Sequence, residues 1–535
     1  MAERVDAATV KSWLADGREI AFIDVREHGQ YGEGHPFLAI SIPYSRLELA
    51  LPALVPNPSV RLVLIDDGDG VATRAAQRAE GLGYTRVSIV VSGVGGWRRA
   101  GFTLFAGVNV PSKTFGEMVE LQRHTPRVSP VEVQRMTAAG ERFVIVDGRP
   151  FAEFERMNIP GGICCPNGEL ALRIHAIAPD PSTTIVVNCA GRTRSIIGAQ
   201  TLIDLGVPNP VFAVENGTQG WFLAGLELER GASRRHGTAL PPPGKLAALA
   251  ARARSVAQAR GVRFVDAGEA AAWLGDAERT TFVLDVRSPE EFAAGSASVC
   301  ASAPGAQLIQ ATDQWVGVKG ARLLLVDDDG VRAAMTAQWL RQLGHEACVL
   351  SGGLKAAMGL PRPAAAPTFK AADVAAVGAK VLRAEMEGDQ RQAADIIDVR
   401  SSTAFRAGHI AGAVWSIRPR LAEALPTDRM RLIVFAGDAS GAARLAAADA
   451  TENGYGNIRL LDDGPSAWAA AGLDIVATPQ VPADTASIDF LFFVHDRHDG
   501  NADAARRYLA WEVGLLDQLD ADERGVFKVA EKLGG

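Results

Sequence analysis

The residues with the clearest chemical potential lie together in Val186-Val187-Asn188-Cys189-Ala190-Gly191-Arg192-Thr193-Arg194-Ser195. A β-branched apolar strand runs into a thiol, a short loop carries two arginines, and an apolar helical pattern, IIGAQTLIDLG, follows. A cysteine at the mouth of a helix meets unpaired backbone N–H groups and the positive end of the helix dipole. Both favour thiolate over thiol, and the thiolate is the reactive form. Arg192 and Arg194 add positive charge and are spaced to hold an anion beside the sulfur. Ala190 and Gly191 are small enough to let the loop curl tightly around it. Thr193 completes the expected binding loop, and Ser195 reads as a helix cap able to donate a hydrogen bond. Cys189 is the expected nucleophile.

The elements that must position this loop recur along the chain. An apolar strand ending in aspartate with an arginine close behind occurs four times: AFIDVREHGQY (Asp24), FVIVDGRPFAEF (Asp147), FVLDVRSPEEF (Asp285) and IIDVRSSTAF (Asp398). An aromatic residue at helical spacing follows each, which predicts a strand, a turn and a short helix. A second apolar strand comes later in each copy (RLVLID, TIVVNC, RLLLVD, RLIVFAG), then a small-residue helix closing on Gly83, Gly206, Gly344 or Gly454. A third strand and a glycine turn end the unit, with Trp97, Trp221 and Trp468 in three of the four copies. Strands alternating with helices predict an α/β fold, each repeat a mostly parallel sheet flanked by helices.

The repeats place domains at 1–110, 124–232, 262–362 and 370–478. Pro/Gly/Ala-rich segments separate them: 109–126, 231–245 running on into a helical stretch (233–261 as linker), and 360–369. A non-repeating tail, 479–535, holds the apolar run IDFLFFVHD and then ADAARRYLAWEVGLLDQL. It reads as a strand-plus-helix appendage packed on the fourth domain.

Counting back from the helix-closing glycine separates the four loops. Cys189 lies 17 residues before Gly206; the same offset gives Asp66, Asp327 and Gly437 in the first, third and fourth repeats. Neither aspartate nor glycine supplies a thiol nucleophile, so these three repeats are expected to be inactive.

The chain's 535 residues exceed one ordinary domain and suggest roughly three to five. With 47% hydrophobic and 22% charged residues the chain is of soluble globular type. A net charge of −7 supplies no broad basic footprint, so nucleic acid is not an expected partner. No apolar run reaches the roughly 18 residues of a membrane span, and the first residues lack a secretory pattern. Five cysteines (164, 165, 189, 300 and 348) without metal spacing fit a reducing, cytoplasmic setting. Cys164, Cys165, Cys300 and Cys348 read as packing residues. No metal is expected: His495, Asp496, His498 and Asp499 read as a polar turn. Asp66-Asp67-Gly68-Asp69-Gly70 lacks the closing glutamate of a calcium loop.

The four ordered copies, the CAGRTRS loop, the GHIAGAV and NIPGGICCPNGEL segments and the glycine–tryptophan turns resemble the rhodanese-like sulfurtransferase family up to about residue 478. The resemblance implies an enzyme in which Cys189 alternates between thiolate and persulfide. Its sulfane sulfur would come from an anionic donor, thiosulfate or an organic persulfide, and pass to cyanide, a thiol or a protein acceptor. No cofactor is implied. Asp147 and Arg149 recur in the inactive repeats and read as a structural ion pair.

Two other readings compete. One is a rhodanese-fold scaffold or sulfur-carrier and sensor protein with little turnover, favoured by three inactive copies. The other is a cysteine phosphatase or arsenate reductase, whose loop needs an arginine six residues after the cysteine. Six after Cys189 is Ser195, with the arginines at offsets three and five, so the loop is one residue too short.

Overall fold

The computed structural model describes residues 2–362, 368–369, 374–387, 394–461, 463–492 and 500–530. Among them are four five-stranded sheets with one strand order: first, fifth, fourth, second, third within each repeat. Pairing in the second, third and fourth sheets is parallel throughout. The chain folds into two compact units. One gathers the first and fourth repeats (1–12, 21–107, 366–492), and the other the second and third with the tail helix (13–20, 108–365, 493–535). No helix among the described residues is long and apolar enough to cross a membrane.

In the second repeat the strands are β1 (Arg127–Val128), β2 (Phe143–Asp147), β3 (Ile163–Cys164), β4 (Thr184–Asn188) and β5 (Val211–Val214). The same unit contains helices α1 (Val110–Arg123), α2 (Phe151–Arg156), α3 (Asn167–Ile177), α4 (Thr193–Leu205), α5 (Gly305–Gln310), α6 (Arg332–Gln342) and α7 (Ala502–Val513). β4 is central and buried on both faces, which is why Ile185, Val186 and Val187 form a continuous apolar run rather than an alternating one. Val187 packs with Leu170 of α3 and with Ala199 and Leu202 of α4. Each such buried aliphatic side chain contributes roughly 1.5–3 kcal/mol.

The four glycines used to count the repeats share a physical reason. Gly83, Gly206, Gly344 and Gly454 have φ of 95°, 75°, 97° and 88°, the left-handed turn that ends a helix and that a side chain disfavours. The Asp–Arg motifs are equally uniform. In every repeat the arginine Nε and Nη2 donate to the aspartate two residues before. Nη2 also donates to a carbonyl eight residues on: Gly34, Met157, Gly295 or Gly408. The motif is a clamp that fixes the turn after the second strand.

Three expectations change. Residues 109–126, read as a segment joining two repeats, are mostly ordered helix: Val110–Arg123 is helix α1, with Phe115, Met118 and Val119 buried on one face. The tail does not pack on the fourth repeat alone. Its helix α7 folds within the second unit, where Lys113 of α1 meets Tyr508 and Glu512. The apolar run at 488–492 has no ladder pairing; in the first unit Gln30 N donates to Ile488 O and Gly32 leaves no room for a Cβ against Leu491. His495, Asp496, His498 and Asp499 lie outside the described residues.

The first unit supplies a pH-dependent prediction. Glu27 is buried, accepts from Ser45 N and Oγ at 3.1 and 2.8 Å, and is pushed up by desolvation to about 7 from 4.5. A raised acid binds a proton more tightly when folded, so its charged form destabilises the fold from the unfolded value upward, fully above the folded one. Glu27→Gln should therefore gain on the wild type as pH rises from about 4.5 to 7, by at most about 3 kcal/mol. Paired denaturant titrations check this; a difference that is flat with pH would rule it out. Buried His35, pulled down to about 4 by desolvation, acts in the opposite direction in both proteins and cancels in the difference.

Candidate active site: an anion cradle around Cys189

Cys189 follows the last residue of the central strand, where open parallel sheets place their ligand crevices. The register sets Asp147 of β2 beside Asn188 of β4, whose Nδ2 donates to Asp147 Oδ2 at 2.7 Å. This brings Arg149, two residues beyond β2, next to the cysteine loop. The carbonyls of Cys189 and Ala190 are turned away and held: they accept from Thr218 N at 2.8 Å and Gln219 N at 3.2 Å. Gly217 permits that approach, since a Cβ there would lie 2.2 Å from Cys189 O. Asn167 of α3 bridges from behind, its Nδ2 donating to Arg194 O at 2.7 Å.

With the carbonyls tied back, the N–H groups are left over. Among the described residues none of the backbone N–H groups from Ala190 to Ser195 finds an acceptor in the protein. The repeats without a loop thiol show what such a loop holds. In the first, Asp66 stands at the cysteine position and its carboxylate accepts from the N–H groups of Gly68, Gly70 and Ala72 at 2.9, 3.2 and 2.9 Å. In the third, Asp327 accepts from Gly330 N and Ala333 N at 3.1 and 2.9 Å. These correspond to the N–H groups of Gly191, Arg192, Thr193 and Ser195. The loop is an anion cradle, filled by a built-in carboxylate in two repeats and empty of one around Cys189.

Cys189, Ala190, Gly191, Arg192, Thr193 and Arg194 line one cavity of about 260 Å³. Ser195 stays behind it, its Oγ donating to Arg192 O at 2.8 Å. Cys189 is only 1% exposed, so a reactant must enter the cavity to reach it. The two arginines are not bare. Arg192 is held by Glu117, its Nε and Nη2 donating at 2.6 and 2.8 Å, and also by Glu120. Arg194 makes a two-pronged pair with Glu153, 2.8 Å on each arm. Arg194 lies within electrostatic reach of the Cys189 sulfur.

Helix α7 closes one wall. Glu512 is buried at 1% exposure; its Oε1 accepts from Thr193 Oγ1 at 2.9 Å, with Lys113 Nζ at 3.4 Å, while Lys113 also donates to the Tyr508 hydroxyl. Gln307 and Gln310 of α5 add neutral donors and acceptors to the wall. Sequence reading missed Lys113, Glu117, Glu120, Glu153, Gln307, Gln310, Tyr508 and Glu512. A signal existed for one of them: Glu512 sits on the apolar stripe Ala505–Tyr508–Leu509 at helical spacing, and an acid on such a stripe needs a buried partner.

Cys164 and Cys165 are buried, as is Cys348; burial pushes the Cys164 thiol up to about 12 and that of Cys165 well above the usual range. They behave as packing residues. Among the described residues no cluster of His, Cys, Asp and Glu is placed to hold a metal.

The rhodanese-like domain family matches residues 6–100, 129–224, 266–359 and 379–471. The chain belongs to the rhodanese-like family. A crystal structure of a thiosulfate sulfurtransferase from Pseudomonas aeruginosa is 41% identical and has a TM-score of 0.91, covering 99% of this chain and 100% of that one. A curated relative, an HTH-type transcriptional regulator of Mycobacterium tuberculosis, is 33% identical over 110 residues, 21% of this chain. The match spans 47% of that regulator's length. The family's α/β sheet is the fold that the four sequence repeats predicted.

Proposed function

We propose that the protein is a sulfurtransferase in which Cys189 carries a sulfane sulfur from an anionic donor, thiosulfate or an organic persulfide, to a thiophilic acceptor. The Cys189 thiolate attacks the outer sulfur of the donor. The donor's S–S bond breaks, sulfite or a thiolate leaves with the bonding pair, and a Cys189 persulfide anion forms. The loop N–H groups and the dipole of α4 stabilise that anion at a buried sulfur. Cyanide, a thiol or a protein acceptor then attacks the terminal sulfur, and the thiolate returns.

The observation that carries this reading is the empty N–H cradle. Equivalent loops fill the same donors with Asp66 and Asp327, whereas the loop of Cys189 leaves them for charge on the sulfur. The resemblance to a thiosulfate sulfurtransferase over the whole chain supports the reading as well. The test is thiocyanate formation with thiosulfate, mercaptopyruvate and glutathione persulfide in turn. Saturable turnover with at least one donor, lost in Cys189→Ala, is expected; turnover with none would favour a scaffold or sulfur-sensor role.

A further inference from the structure

The Asp–Arg clamp differs among repeats in one atom. In the first repeat Arg26 uses its remaining nitrogen, Nη1, to donate to Asp67 at 3.1 Å; in the third, Arg287 Nη1 donates to Asp328 at 3.1 Å. Each acid immediately follows the residue at the cysteine position, and in the fourth repeat Asp438 stands there too. In the second repeat that position is Ala190. Arg149 keeps its bonds to Asp147 and to Met157 O, but its Nη1 finds no acceptor among the described residues. Arg149 is 2% exposed and lines the cavity of Cys189. A guanidinium nitrogen that two sibling loops furnish with a carboxylate is thus left, in the loop that carries the thiol, for an anion from outside.

We propose that Arg149 is the donor-anchoring residue of the site: its Nη1 binds the anionic end of the sulfur donor in the place that Asp67 and Asp328 occupy in the inactive repeats. The proposal rests on the sulfurtransferase reading and deepens it. Arg192, held by Glu117 and Glu120, is then part of the wall rather than the principal anion ligand. A rigid fork held on two sides by Asp147 and Met157 O binds an anion with little ordering cost, which a free lysine or arginine on the rim does not. Ala190 is the complementary requirement: it must be a residue that cannot reach Arg149.

The test uses the full-length chain and the alkylation rate of Cys189, followed on its peptide, with iodoacetate (anionic) and iodoacetamide (neutral). The wild type should show a saturable preference for iodoacetate, suppressed by sulfate. Ala190→Asn offers Nη1 an amide oxygen without changing the charge of the loop. It should lower the iodoacetate preference and raise the thiosulfate KM by roughly tenfold to a hundredfold, the span of one hydrogen bond to a charged group. The iodoacetamide rate should fall by clearly less than the iodoacetate rate, so that the ratio of the two carries the result. Arg149→Lys, which keeps the charge but not the fork, should raise KM in the same way if it folds; Ala190→Asn decides the matter if it does not. An unchanged preference and KM in Ala190→Asn, or a wild type without preference for iodoacetate, would overturn the proposal. A wild type that prefers iodoacetate yet takes up no sulfur from any donor would instead remove the sulfurtransferase reading and leave the anion anchor in place.

Discussion

Arg332→Met should destabilise the second unit by about 3–5 kcal/mol, a large share of a typical domain's total stability. Arg332 has a side chain with no exposure and gathers four carboxylates: Glu169 at 2.7 Å, Glu291 at 2.5 Å, Asp328 at 3.0 Å and Asp329 at 2.6 Å. Methionine fills similar volume, so the loss comes from acids stripped of Arg332 rather than a cavity, chiefly Asp329 and Glu291, since Asp328 keeps Arg287 and Glu169 keeps Arg173. Although burial alone would raise it, Glu291 is held down at about 2 by hydrogen bonds from Arg332. A depressed acid contributes stability above its unfolded value of 4.5 and loses it as pH falls toward 2. Without Arg332 the orphaned carboxylates resist ionisation in the fold, and the window reverses: the variant should recover stability as pH falls from 7 toward 5. Chemical denaturation at both pH values reads this. A loss below about 1 kcal/mol that does not vary with pH would show that the cluster is not a buried ionic network.

Gly217→Ala should lower kcat/KM by about a hundredfold, the scale of an ångström-sized misplacement at a reacting atom. Gly217 has φ of +55°, and its added Cβ would lie 2.2 Å from Cys189 O and 2.8 Å from Cys189 C. The obstacle is backbone on both sides, so the cysteine loop itself must shift. The first repeat offers a control. Gly93 has φ of +54° and a Cβ there would meet Asp66 O at 2.0 Å. Gly93→Ala imposes the same strain on a loop without a thiol, and should lower the melting temperature while sparing sulfur transfer. Equal losses of activity from the two substitutions would mean that the effect is one of folding and not of loop geometry.

Much of this architecture was legible in the sequence because the repeats carry their physical reasons with them. A helix-closing glycine in the left-handed region, an Asp–Arg clamp and a continuous apolar strand leave local marks, and counting from Gly206 isolates Cys189 without any coordinates. What stayed hidden is non-local. The glutamates that neutralise Arg192 and Arg194 come from α1 and α2, and α1 lies in a segment whose Pro-Ser start and charged residues resemble a linker. Tyr508 and Glu512 come from a tail more than 300 residues away in sequence. The cradle itself could not be read from composition, since it depends on which carbonyls Gly217 and its neighbours tie back. Even the contrast between Ala190 and Asp67, Asp328 and Asp438 was present in the letters; it gained meaning only when Arg26 and Arg287 were seen to reach those acids.

The most direct measurement is the number of cyanide-labile sulfurs carried per chain after incubation with a sulfur donor and removal of the excess, in the wild type and in Cys189→Ala. The account predicts one sulfur per wild-type chain and none in the variant, because Asp66, Asp327 and Gly437 leave Cys189 as the sole thiol at a loop position. Two or more sulfurs per chain, or one that persists in Cys189→Ala, would contradict it.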